Sequence, residues 1–173
     1  MCDVMIDLET MGTQPGSAII AIGAVTFDLS GVKEVFYTNI SLKSCMEEGL
    51  TVDADTILWW MQQSEDARKA LIDNPRPLMQ ALSMFADWYR SVNGFYLWGN
   101  GSDFDNILLG QAYKACGIKQ PWSYSKNRCY RTVKNMYENI EMDRKGTHHN
   151  ALDDATSQAE HLIKIFNHIA VSS

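Results

Sequence analysis

The chain has 173 residues, 46% of them hydrophobic, which is the size and composition of one domain (1–173) with a full core. Its formal net charge of −6 argues against a protein that coats nucleic acid through bulk charge, and no run approaches the roughly 18 consecutive apolar residues of a membrane span. With no basic, apolar leader and four cysteines (Cys2, Cys45, Cys116, Cys129) without CxxC spacing, a cytoplasmic protein with reduced thiols is expected, with neither a zinc knuckle nor a disulfide framework.

Val4, Met5, Ile6 and Leu8 form a short apolar run that predicts a buried strand, and two carboxylates, Asp7 and Glu9, are set into it. Strand side chains two apart project from the same face, roughly 6.5–7 Å apart along the chain. Like charges held that close on an apolar element repel each other and are poorly hydrated, and a bound divalent cation is the usual compensation. The same spacing in Asp53/Asp55, Asp103/Asp105 and Glu141/Asp143 lacks such flanks and reads as solvated loops or helix starts.

Met11 to Ser17, with Gly12, Pro15 and Gly16, predicts a turn, and Ala18 to Phe27 a central strand interrupted by Gly23 and Thr26. Asp28 to Gly31 is a tight turn into a third strand, Val32 to Ile40, so the opening predicts a three-strand antiparallel meander. Asp53 or Asp55 can cap a helix through Met61; a second begins at Ser64 and ends near Ile72. Pro77 suits the first turn of a longer helix whose inner face is Leu78, Leu82, Phe85, Tyr89 and Val92. Phe95 to Trp98 is a short aromatic strand, followed by the turn Gly99 to Ser102.

From Asp103 a helix with Leu108, Ala112, Tyr113 and Cys116 inward is expected, stopped by Gly117; an acid in its first turn is favoured by the helix dipole whether or not it has a function. A further helix is predicted over Asn127 to Glu138, then a loop at Arg144 to Thr147. From Lys114 to Lys145 the chain carries Lys114, Lys119, Lys126, Arg128, Arg131, Lys134, Arg144 and Lys145 against Glu138, Glu141 and Asp143. That local excess fits either a solvated helix face or a phosphate-facing surface. The last helix begins near Ala151, with Leu152, Ala155, Ala159, Leu162, Phe166 and Ile169 on one stripe. At 100° per residue Asp154 lies nearer the stripe's edge, where it can face a cleft, and Asp153 more towards the back. His148 and His149 precede this helix. The order of elements predicts a mixed α/β sheet with helices on its faces.

Asp7-x-Glu9-Thr10, Phe104-Asp105 and His149-x4-Asp154 resemble, in chain order, the three motifs of the DEDD superfamily of 3′-to-5′ exonucleases, in its histidine branch. Asp55 to Ser64, continuing to Arg68, with Trp98-Gly99 and Asp105 to Leu109, is similar to the ribonuclease T-like subgroup of phages and actinobacteria. The loop before the second motif is longer than in the commonest version; of Asp103 and Asp105, Asp105 fits better. The resemblance implies a ribonuclease H-like fold and a metal-dependent exonuclease acting on single-stranded nucleic acid with a free 3′-hydroxyl, releasing nucleoside 5′-monophosphates. RNA and DNA both remain open as substrates.

It further implies Asp7, Glu9, Asp105 and Asp154 as ligands of two Mg²⁺ ions, with Mn²⁺ substituting, and His149 as the base. An all-oxygen ligand set suits Mg²⁺, and imidazole titrates in the range a base needs. Thr10, Met11 and Asn100 are implied at the substrate's 3′ end, while Trp59 and Trp60 either pack in the core or stack on bases. Relatives commonly form homodimers, which makes a dimer an expectation here too. Two other readings compete: a nucleic-acid-binding protein of the same fold without hydrolysis, and an interaction module with a Ca²⁺ site, the latter disfavoured by the absence of an EF-hand-like loop.

Overall fold

In the computed structural model the described residues are 2–146 and 149–172, the side chain of Ser172 excepted; Thr147 of the predicted loop and the candidate His148 lie outside them. Five strands form one sheet in the order β3-β2-β1-β4-β5. They are β1 (Cys2–Thr10), β2 (Ile19–Asp28), β3 (Gly31–Asn39), β4 (Gly94–Gly99) and β5 (Asn127–Cys129). The first three form the predicted antiparallel meander, and β4 and β5 add in parallel to the other side of β1. The strand with the two acids is therefore central.

Seven α-helices and one 3-10 turn (Tyr124–Lys126) complete the described chain: α1 (Leu42–Glu47), α2 (Ala54–Met61), α3 (Glu65–Ile72), α4 (Leu78–Ser91), α5 (Asp105–Ala115), α6 (Tyr130–Met136) and α7 (Ala151–Ser172). Asp53 caps α2, accepting the Thr56 N–H, which places Asp55 in the first turn. Asn150 starts α7 in the same way, its Oδ1 accepting from the N–H groups of Leu152 and Asp153. The helix expected over Asn127 to Glu138 is corrected. Its first three residues are the edge strand β5, where Asn127 Oδ1 accepts from Trp122 and Asn106, and the helical part is Tyr130–Met136. The unanticipated α1 has only six residues, too few to show a helical period.

Alternation along β1 gives it two apolar contacts. Val4, Ile6 and Leu8 join a core with Leu78, Leu82 and Phe85 of α4 and Leu108 and Leu109 of α5. Met5, on the opposite face, packs with Val25 and Trp98 beneath Ala155, Ala159 and Leu162 of α7. Burial of each such large aliphatic or aromatic side chain contributes roughly 1.5–3 kcal/mol. Held from both sides, β1 can carry two carboxylates at its end despite their mutual repulsion. No described helix is long and apolar enough to cross a membrane.

Candidate active site

Asp7 and Glu9 project from the α7 face of β1, at the end where the β1–β2 register slips between Glu9 and Thr10. Such irregularities bend a strand and re-aim its side chains. Opposite Asp7 in the register is Gly23 of β2. A Cβ there would lie 2.2 Å from the Ala151 carbonyl carbon and 2.3 Å from the Leu152 nitrogen. Only a glycine lets the first turn of α7 rest on the sheet at that point. The consequence is local: Asp154, one turn into α7, arrives beside Asp7 and Glu9, and one oxygen of each of the three lies within 4.8 Å of those of the other two. One further turn along, Gln158 donates Nε2 to Asp7 Oδ1 at 2.8 Å.

Asp105 comes from the other direction. It opens α5 after the turn that follows β4 and is 2% exposed, whereas Asp103 is exposed in that turn. Its Oδ1 accepts the Leu8 N–H at 3.2 Å and its Oδ2 the Asn100 N–H at 2.8 Å. The structure therefore joins the second motif to the end of β1 through Asp105, but leaves it outside the three-carboxylate cluster of Asp7, Glu9 and Asp154. Gly99 permits this approach, since a Cβ there would lie 2.9 Å from the Cβ of Asp105.

Burial dominates the electrostatics. Asp7 keeps part of its surface on the cavity but is crowded by protein atoms. Loss of hydration, then Asp105, Glu9 and Asp154, push its carboxyl well above the usual range against the Gln158 hydrogen bond. Glu9 is pushed up to about 8 by desolvation and then by Asp154 and Asp105, and Asp105 to about 7 by desolvation, opposed by the Asn100 and Leu8 N–H groups. Glu9 Oε1 is buried without a hydrogen-bond partner. Clustered oxygen ligands, one of them buried and unsatisfied, fit a hard divalent cation.

A pH dependence of the metal-free protein follows. The folded chain retains protons that the unfolded chain releases, so the unfolded state binds fewer protons and stability falls as pH rises. For Glu9 the window runs from 4.5 to about 8. Melting in EDTA is expected at a lower temperature at pH 8 than at pH 5, with Mg²⁺ or Mn²⁺ raising it most at pH 8. A melting temperature that stays level across this range in EDTA would contradict the clustering.

An open cavity of about 660 Å³ lies over the cluster, within the size range of small-molecule sites. One wall is α2, tied to the end of β1 by Trp60 Nε1 donating to the Thr10 carbonyl at 2.9 Å and the Asp53 N–H donating to the Met11 carbonyl at 2.7 Å. Adjacent helical positions point about 100° apart, and the two tryptophans divide accordingly. Trp60 is 5% exposed and packed against Ile20, Ala67 and Leu71, so although its edge reaches the cavity it is a core residue. Trp59 is 40% exposed and lines the cavity. The His149 ring packs edge-on to Trp59, centroids 4.7 Å apart.

His149 has a left-handed backbone (φ 63°), and its N–H donates to Asp154 Oδ2 at 3.0 Å. Thr10 and Asn100 also line the cavity, with the Thr10 hydroxyl committed to the Gly12 carbonyl. Met11 is not among the lining residues; it is half-buried between two core clusters. Of the basic segment only Arg144 reaches the cavity, while Lys126 and Arg128 lie over the rings of Phe95 and Tyr96.

Over residues 2–166 the sequence matches the Rv2179c-like family of 3′-5′ exoribonuclease domains. The chain belongs to that family. It is a 3′-5′ exonuclease with a ribonuclease H-like fold. No curated protein sequence matches it. The nuclease domain of 3′hExo, a DEDDh family member bound to rAMP, superposes with a TM-score of 0.68 at 16% identity, covering 96% of this chain and 92% of that one. Cell-death related nuclease 4 (CRN-4) gives 0.65 at 15% identity, covering 96% of this chain and 64% of that one. Exonuclease X, in complex with 5′ overhanging duplex DNA, gives 0.60 at 14% identity, covering 95% and 91%.

Three residues of this candidate site carry less in the sequence than in the fold. Gln158 carried no signal, because a glutamine one turn beyond Asp154 resembles any solvated helix position. Arg144 looked like one member of a charge run, but its Nη1 lies 2.6 Å from Asp154 Oδ1. Gly23 did carry a signal: a glycine inside an apolar strand marks the close approach of another backbone.

Proposed function

We propose that this exonuclease removes nucleotides from the 3′ end of single-stranded RNA, releasing nucleoside 5′-monophosphates, with Mg²⁺ as cofactor and Mn²⁺ able to replace it. The observation that carries the proposal is the convergence of Asp7, Glu9 and Asp154, with an unpartnered buried oxygen on Glu9, in a cavity also lined by His149. The family's exoribonuclease description supports RNA as the substrate. Two divalent cations, when bound, supply charge stabilisation at the phosphoryl oxygens, activation of the attacking water and help for the leaving oxygen.

The chain's own residues hold and aim. Asp7, positioned by Gln158, would hold the cations together with Glu9 and Asp154. Asp105, its oxygens engaged by the Leu8 and Asn100 N–H groups, would add negative charge beside them. His149 takes the proton of the attacking water, its imidazole braced by the Trp59 ring while its backbone N–H holds Asp154. The exposed face of Trp59 stacks on a base near the 3′ end, and the Thr10 and Asn100 walls of the cavity receive the terminal sugar.

Matched single-stranded RNA and DNA labelled at the 5′ end and sampled over time with Mg²⁺ test this reading. A ladder shortening from the 3′ end, faster on RNA, is expected. Internal cuts would overturn the polarity, and faster loss of DNA would overturn the substrate.

A further inference from the structure

Arg144 touches a carboxylate of the cluster assigned to the cations, and it does so from a fixed platform. On its C-terminal side the Lys145 N–H donates to Ser157 Oγ at 3.0 Å, and Lys145 Nζ pairs with Glu160 at 2.6 Å. On its N-terminal side Asp143 pairs with Lys164, and the Ile140 carbonyl bonds His161 Nε2 at 2.6 Å. The segment is strapped along α7, so the position of Arg144 above Asp154 is built into the fold. The Arg144 side chain itself is 51% exposed against 12% for that of Asp154. It can leave its partner without a large change in hydration, whereas Asp154 cannot move away.

We infer that Arg144 is a placeholder for the cations and a binding residue for the substrate's phosphate, paired with Asp154 while the cluster is free of divalent ions and transferred to the terminal phosphodiester when ions and RNA bind. The phosphate half rests on the nuclease reading above. Three observations carry the inference. Asp154 has one oxygen on the His149 N–H and the other on Arg144, so an ion taking Asp154 as ligand meets the guanidinium on the same carboxylate. Two cations on one carboxylate repel, which makes ion binding and the Arg144–Asp154 pair antagonistic. Arg144 is also the one Lys or Arg among the described residues lining the cavity, and a planar guanidinium matches phosphate oxygens two at a time.

The test is Arg144→Met, with thermal melts confirming the fold. Calorimetric titration of Mn²⁺ into the RNA-free protein is expected to show about 3- to 10-fold tighter binding in the variant, the size of a partly exposed ion pair that no longer competes. At saturating Mg²⁺ its KM for single-stranded RNA is expected to rise about tenfold or more. A merely structural brace for Asp154 would move the first reading the other way. Unchanged or weaker Mn²⁺ binding overturns the placeholder role, and an unchanged KM overturns the phosphate role. A wild-type protein inactive on every nucleic acid would instead refute the nuclease reading, and the Mn²⁺ titration would still decide the placeholder role.

Discussion

Replacing Asp7 with Asn is expected to lower turnover by about 10³- to 10⁴-fold, several kcal/mol of transition-state stabilisation, and to remove the rise in melting temperature caused by Mn²⁺. It is also expected to stabilise the metal-free protein above neutral pH. Asp7 is a desolvated carboxylate facing Asp105, Glu9 and Asp154, and an amide of the same shape keeps a polar group opposite Gln158 without the charge. The shift is roughly 3 °C for each kcal/mol of repulsion relieved in a chain of this size. Loss of function with gain of stability is the signature of a charge kept for chemistry. An Asp7→Asn protein that melts lower than wild type in EDTA at pH 8 would show that Asp7 is structural.

His149→Ala is expected to reduce turnover by about 10²–10⁴-fold, the range of general acid–base catalysis, with little change in Mn²⁺ affinity. The two readouts separate because His149 acts on the cluster in two ways. Its backbone N–H holds Asp154 and survives the substitution, whereas the imidazole beside Trp59 does not. The left-handed backbone at 149 is uncommon outside glycine, asparagine, aspartate and histidine, and alanine is expected to tolerate it at a cost of about 1 kcal/mol. A variant that turns over at the wild-type rate would remove His149 from the mechanism; one that loses Mn²⁺ binding in parallel would make it a scaffold for Asp154.

The parts of the site that were legible in the sequence are those whose geometry follows from one element. The two-residue period of a strand puts Asp7 and Glu9 on one face, and the helical period puts Asp154, not Asp153, at the edge of the core stripe. In the fold Asp154 is buried in the cluster and Asp153 lies beside Gly146. Contacts between elements were harder to read. Arg144 and Asp154 are ten residues apart in sequence, and only the strapping of 140–145 along α7 shows that they meet. Asp105 was identifiable by motif, but its two backbone donors, which keep it outside the three-oxygen cluster, depend on where β4 ends beside β1. The edge strand β5 has three residues, too few for any period.

The acids on β1 and α7 are expected to make a cation-dependent site acting on a 3′ terminus. Single-turnover digestion of a 3′-end-labelled RNA strand, with Mg²⁺ and with EDTA, tests it most directly. Prompt release of the label as a nucleoside 5′-monophosphate is expected with Mg²⁺, none in EDTA, and recovery on adding Mn²⁺. Release that persists in EDTA, or label appearing first in oligonucleotides, would contradict it.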